Sequence, residues 1–344
     1  MSSEGGDVRI PTARPRWVSW IFFRVCDLFV APALCALRIL LRGLSRESGF
    51  RLARTFGLFI AKRFSLSVFR RNLRALEAQG FHVPEKTEQV VAESTIHQLR
   101  NVVDIVKVLD QRAIPLGDLV VAVGEEHLKT ALESGRGVVL ISSHTGNWEL
   151  SAAWLAWRGY PFNVVYYEQP SRVLDRYFQR VRRGFGVKIL PQRRGLKAAF
   201  RALRGNEVLA IMADQDGTAS GIFTDFFGFF VSMPRGAVRL ALRQQCPLVH
   251  TYNHRLPDGR YRQVFFPPRW PPPQHTVDGE RILAEQILSE IEEIVRLDPA
   301  QWLISYDRFK LRHLSRLKEL DLVDRVLAEQ RWIEGWQTRE SQRQ

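Results

Sequence analysis

The string Ser142-Ser143-His144-Thr145-Gly146-Asn147-Trp148-Glu149 sets an imidazole and a carboxylate five positions apart. Such a pair makes a general base and its orienter. The carboxylate accepts a hydrogen bond from one ring nitrogen, fixes the tautomer and stabilises the imidazolium, while the other nitrogen takes a proton from a hydroxyl. The freed oxygen attacks an activated carbonyl such as a thioester, a reaction that requires no serine or cysteine nucleophile. Spacing alone is weak support. A competing reading makes Gly146 a helix N-cap and Glu149 the third helical residue reaching back to the cap amide, which is a purely structural role.

The elements around the string favour chemistry. Gly137–Ser143 (GVVLISS) reads as a buried strand and Asn147–Arg158 as a helix. His144 then stands at the carboxyl end of a strand, in the crevice where open α/β sheets place ligands. Gly146 allows the chain to double back so that Glu149 reaches His144, and amides at the helix start, near Gly146 and Asn147, face charge developing on a carbonyl oxygen. A second acidic segment, Asp214 and Asp216, follows the strand Glu207–Met212 and is expected at the same crevice edge. Asp214 there positions the motif loop or the acceptor, with a plain turn as the alternative. Arg235, just after Pro234, is a candidate anion contact at a helix start, or a solvated surface arginine. No metal or cofactor is expected.

Alternation continues around these residues. Helices are expected over Glu125–Ser134, Arg176–Phe185 and Gly195–Arg204, and strands over Phe162–Tyr167, Val187–Leu190, Pro247–His254 and Tyr261–Phe266. The PPRWPPP run at Pro267–Pro273 reads as a rigid connector, and Asp278–Arg296 as a patterned helix. This order points to an α/β fold, three layers (αβα) about a mostly parallel sheet. Before it, residues 1–16 read as disordered, and Trp17–Leu41 is the most apolar segment, interrupted by Arg24 and Asp27, which at i, i+3 can pair. It is expected to be an N-terminal membrane helix, either a span or an interfacial helix. Leu52–Leu76 reads as a basic amphipathic helix and Glu85–Asp110 as another. Residues 42–312 form the main domain and 313–344 a charged helical tail.

Composition narrows the partners. Fifty Lys and Arg against 36 Asp and Glu leave +14, a balance that attracts polyanions, either nucleic acid or anionic lipid. No nucleic-acid recognition module accompanies the charge, and the apolar N-terminal segment fits a lipid surface better. Arg38, Arg42, Arg46, Arg51 and Arg54 flank that segment, which by the positive-inside tendency keeps the domain cytoplasmic. The three cysteines form no disulfide framework, and Cys246 reads as a small buried hydrophobe.

The string HTGNWEL resembles the signature of the late acyltransferases of lipid A biosynthesis, the lauroyl and myristoyl transferases, within the H-x4-D/E glycerolipid acyltransferase superfamily. Four further blocks fall in the family's order. These are Arg70-Arg71-Asn72-Leu73; Asp214-Gln215-Asp216 with Gly221-Ile222-Phe223 and Phe226-Phe227-Gly228; Met233-Pro234-Arg235-Gly236 with Ala241-Leu242; and Gln301-Trp302-Leu303 with Arg308-Phe309-Lys310. The resemblance implies a fold of the glycerolipid-acyltransferase type on the cytoplasmic face of the inner membrane. It implies an acyl thioester as co-substrate, carried by acyl carrier protein or coenzyme A, and a hydroxyl of a lipid A precursor as acceptor. Phe223–Phe230 then reads as core with a partial acyl-channel wall. The chain departs from the family at Tyr166-Tyr167-Glu168, where Tyr-Arg-Pro is usual, and Arg172 or Arg176 is the substitute for the lost arginine. Other lipid acceptors, namely a phospholipid, a mannosylated lipid or an amino-lipid, stand as the alternative.

Overall fold

The computed structural model of the chain describes residues 16–64, 66–78, 86–192, 194–273 and 276–309. The expected disordered start, apart from Arg16, and the charged tail lie outside these residues. Four helices come first: α1 (Arg16–Gly43), α2 (Arg46–Arg63), α3 (Ser67–Ala78) and α4 (Thr87–Asp104), the last running into a π-helical turn at Ile105–Asp110. The single basic helix expected over Leu52–Leu76 is thus two, because the backbone turns extended at Phe64. Ser45 caps α2 by accepting the Ser48 amide at 3.1 Å.

The sheet then alternates with helices. A short α5 (Leu116–Leu119) leads into β1 (Val120–Val123), α6 (Glu125–Glu133), β2 (Val138–Ser142), α7 (Trp148–Trp157), β3 (Phe162–Tyr166) and α8 (Arg172–Gly184). Next come β4 (Lys188–Pro191), α9 (Leu196–Arg204), β5 (Val208–Met212), a hairpin β6 (Ile222–Phe226) and β7 (Phe229–Met233), and α10 (Gly236–Gln244). The described chain closes with β8 (Leu248–Arg255), β9 (Tyr261–Phe265), α11 (Val277–Leu297) and a 3-10 turn at Pro299–Gln301. Seven strands pair in the order β1-β9-β8-β2-β5-β3-β4. All pairs are parallel except β8 with β9, so the fold is mixed α/β with a mostly parallel sheet.

Strand periodicity divides the core. On β2, Val139 and Ile141 enter one apolar cluster with α9, α10, α11 and the β6–β7 hairpin, while Val138 and Leu140 enter another with α6, α7 and α8. Both faces of β2 and β5 are therefore buried, which explains their unbroken apolar runs. Phe226, Phe227 and Phe229 are buried in the first cluster and act as core. Cys246 is fully buried, and burial pushes its thiol up to about 11, so it is an inert hydrophobe.

The expected N-terminal membrane helix needs correction. Segment 17–41 is helical within α1, but among the described residues no helix is long and apolar enough to cross a membrane. Asp27 is buried and accepts hydrogen bonds from the Ser171 hydroxyl and from the Arg172 amide, the latter at 3.1 Å, so α1 is tied to the start of α8. Its anticipated partner Arg24 has a side chain outside the described residues. What α1 and α2 do present is a set of exposed apolar groups: Leu28, Phe29, Ile39, Phe56, Phe59 and Phe64.

Candidate active site

Parallel register assembles the site. β2 and β5 run side by side with Ser142 opposite Met212. Two residues further along each strand stand His144 and Asp214, so equal extension from paired positions brings them together. His144 Nδ1 lies 2.7 Å from Asp214 Oδ1, and the His144 amide donates to Asp214 Oδ2 at 2.8 Å. The indole N–H of Trp302 donates to the same Oδ2 at 3.1 Å. Asp214 is almost wholly buried. Burial alone would raise its pKa, but the charge and hydrogen bonds of His144, with the Trp302 bond, hold it below the ordinary carboxylate range. It is therefore ionised at neutral pH. With Nδ1 directed at that carboxylate, Nε2 is the ring nitrogen left for another partner. The ring packs edge-on to Trp148 at 5.0 Å.

The loop that carries His144 is held on every side. Leu303 N donates to His144 O at 2.8 Å, Gly146 N to Gln301 O at 2.9 Å, and Asn101 Nδ2 to Gly146 O at 2.6 Å. Gly146 has φ +61°, and a Cβ there would stand 1.8 Å from Asn253 O. Only glycine fits. Thr145 N is taken by Ser143 O at 2.8 Å and Asn147 N by Asn253 Oδ1 at 3.3 Å. The amides of residues 144–147 are thus spent inside the protein and do not face the crevice as expected.

Glu149 is engaged elsewhere. Both of its oxygens accept from Arg182 of α8, at 2.9 Å from Nε and 2.5 Å from Nη2. Burial would lower the Arg182 pKa, but the Glu149 charge and hydrogen bonds hold it above its ordinary value, so the guanidinium stays charged. The guanidinium also lies over the Tyr166 ring at 4.5 Å. The expected His144–Glu149 hydrogen bond is therefore replaced by two separate pairs, His144–Asp214 and Glu149–Arg182. The reason is direction: Glu149 starts α7 and faces α8, whereas the imidazole turns back along the sheet edge toward β5. Nor is Gly146 the cap of α7. Asn147 is, its side-chain oxygen accepting the Leu150 amide at 3.2 Å. That places buried Asn147 as a cap where contact with a ligand was expected.

A family model of bacterial lipid A biosynthesis acyltransferases matches residues 21–311. The chain belongs to that family. It is also similar to the phosphatidylinositol mannoside acyltransferase of Mycolicibacterium smegmatis, 30% identical over 192 residues, 54% of this chain and 61% of that one. The protein of that description from Mycobacterium tuberculosis is 35% identical over 133 residues, 38% of this chain and 42% of the other. The lipid A biosynthesis lauroyltransferase of Escherichia coli is 28% identical over 193 residues, 55% and 61%. The chain thus spans about three-fifths or less of these curated relatives' length.

In this family member the remaining expected site residues part company. The Asp216 amide donates to the Tyr306 hydroxyl at 3.1 Å and its carboxylate accepts the Thr218 amide at 3.0 Å, which makes a turn. Arg235 lies 2.8 Å from Glu280, a carboxylate it shares with Arg239, so its charge is answered away from His144. Arg172 and Arg176 do not reach Glu149. Arg182, on the same helix, does. Three residues that sequence reasoning did not single out complete the site: Trp302 on Asp214, Arg182 on Glu149, and Arg308. Arg308 is buried beside the cluster, where burial brings its guanidinium down to about 10 against the pull of Asp214 and Asp216. Trp302 and Arg308 do sit in the last of the five family blocks, which was the available signal. No local pattern announces Arg182.

Proposed function

We propose that this chain is an O-acyltransferase that moves a fatty acyl group from a thioester to a hydroxyl of a lipid, with His144 as general base and Asp214 as its orienter. The observation that carries the reading is the 2.7 Å contact between His144 Nδ1 and a buried, ionised Asp214. His144 Nε2 takes the hydroxyl proton as the oxygen attacks the thioester carbonyl. Asp214 stabilises the imidazolium, and the proton then passes to the departing thiolate. The amides of Trp148 and Glu149, at the N-terminus of α7, are the candidates to meet the oxyanion. Glu149, locked to Arg182, holds that helix start against α8 as a positioning residue.

The fold we assign is three-layered, of the glycerolipid-acyltransferase type, and α1 and α2 rest on the cytoplasmic surface of the inner membrane without crossing it. Exposed Phe56 and Phe59 with neighbouring Arg54 and Lys62 suit an anionic interface. For the acceptor, family membership supports a lipid A precursor with acyl carrier protein as donor. One observation favours a second reading: identity to the phosphatidylinositol mannoside acyltransferases, 30% and 35%, exceeds the 28% to the lauroyltransferase. A mannosylated lipid is accordingly the alternative acceptor. The deciding experiment is mass spectrometry of membrane lipids from cells carrying wild-type chain or His144→Ala. Loss of one acyl chain from lipid A selects the first acceptor, and loss from a mannosylated lipid selects the second. Unchanged lipids, with a folded and expressed variant, overturn the acyl-transfer reading.

A further inference from the structure

A cleft of about 470 Å³ opens between the start of α2, the middle of α4 and the end of β8 where it runs past β2. Its walls include Arg46, Phe50, His97, Arg100, His254 and Arg255. It lies behind the motif loop: Gln301, whose carbonyl holds the Gly146 amide, also lines it.

The charges there do not balance. Arg46 and Arg255 share one buried carboxylate, Asp104, at 2.6 and 3.4 Å, and Tyr261 donates to the same group. Arg255 also donates to Asn101 at 2.6 Å and to His97 Nδ1 at 2.9 Å. Arg100 has no such partner among the described residues. Its guanidinium lies 5.5 Å from the Phe50 ring, and its Nε is buried without a hydrogen-bond acceptor. The acids nearby are occupied or peripheral. Glu93 is held by Arg54 at 3.3 Å, and exposed Asp258 by Arg260 at 2.7 Å. Asp298 caps the 3-10 turn and accepts from Gln301 at 2.9 Å, while Glu47 is exposed at the mouth. Three guanidiniums thus face one buried carboxylate, an arrangement that favours a bound oxyanion.

His97 adds a donor. Because its Nδ1 accepts from Arg255, its ring proton is on Nε2. Burial, then the charges of Arg255 and Arg100, push its pKa down to about 3, so the ring stays neutral. Burial and the Arg255 charge likewise lower the Arg100 pKa, the change that an anion bound beside it would reverse.

We infer that this cleft is a second ligand site, separate from the His144 crevice, that binds a phosphoryl group through Arg100 and His97 in the field of Arg46 and Arg255. A phosphoryl group has the oxygens to accept from both donors at once. Its source is either a lipid headgroup or free phosphate. The cleft adjoins the α1–α2 corner, where Ile39 and Leu40 are exposed, and this favours lipid.

Calorimetric titration of the full chain in non-ionic detergent tests the site without turnover, and so independently of the acyl-transfer reading. The ligands are inorganic phosphate and a short-chain phosphatidate, with wild type, Arg100→Gln and Arg100→Lys compared at physiological salt. Expected is one phosphoryl ligand per chain, weakened about tenfold or more by Arg100→Gln and less by Arg100→Lys. Because Arg100 makes no hydrogen bond or ion pair among the described residues, the variants should melt within a few degrees of wild type. Phosphatidate binding tighter than inorganic phosphate assigns the lipid source, and equal affinities assign free phosphate. Failure of both ligands to saturate wild type, or equal binding by Arg100→Gln, overturns the site.

Discussion

Two carboxylates compete for the role of orienter, and substituting each separates them. In Asp214→Asn the amide oxygen can still accept from the His144 amide and the Trp302 indole, which share Oδ2, but the NH2 then faces His144 Nδ1 and favours the tautomer with its proton on Nε2. The substitution also removes the charge that stabilises the imidazolium. Charges about 4 Å apart at an effective dielectric near 20 interact by about 4 kcal/mol. Lost from the transition state alone, that is about a 10³-fold fall in rate. Glu149→Gln should act differently. It leaves Arg182 charged and unpaired in a site where the two side chains are only 8% and 13% exposed. Breaking such a pair costs about 3–5 kcal/mol of stability, which for a chain of this size lowers Tm by about 4–7 °C. The rate per folded molecule should fall less than about tenfold, because Glu149 does not touch the imidazole. Glu149→Gln with Arg182→Met should recover much of the lost Tm. The assay is single-turnover transfer from an acyl thioester to lipid, read by mass spectrometry at 20 °C, with the folded fraction measured by circular dichroism. Turnover within about threefold of wild type in Asp214→Asn, or a fall of about 10³-fold in folded Glu149→Gln, would refute the reasoning.

Other outcomes follow from the same contacts. Trp302→Phe removes one donor to a buried carboxylate, which costs about 1–3 kcal/mol and should lower kcat more than it raises KM. Gly146→Ala combines a positive φ with a backbone clash and should give a protein whose cooperative melt is lost or shifted down by several degrees. Because the folded pKa of Asp214 is depressed, its ionised form stabilises the fold above the unfolded carboxylate range, and that contribution disappears as pH falls through the folded value. The stability gap between wild type and Asp214→Asn, measured by urea unfolding, should therefore be larger at pH 7 than at pH 3. Phe56 and Phe59 are more than half exposed, so Phe56→Ser with Phe59→Ser should weaken flotation with anionic vesicles while leaving Tm within about 2 °C. Unchanged flotation would remove α2 from the membrane surface.

Much of this was legible along the chain. The strands through Val138–Ser142 and Val208–Met212 are short apolar runs, and the helices between them carry ordinary periodicity, signals that depend only on near neighbours. The expectation that Asp214 would share an edge with His144 also holds, because each lies just beyond a strand end. Less legible were β1, too short to stand out, and the break between α2 and α3. The apolar character of α1 pointed to a membrane, but Asp27 serves the start of α8, a partner 144 positions away.

The chain itself dictates which groups are available: an imidazole at a strand end, acids beyond two strands, a glycine where the loop doubles back. Which acid meets the imidazole is a tertiary matter. His144 and Asp214 are 70 residues apart and meet through the parallel register of β2 and β5, whereas Glu149, only five residues away, starts a helix that aims it at Arg182, 33 residues on. Proximity in sequence supplies candidates, but the direction of a side chain follows from the element that carries it and from the neighbour packed against that element.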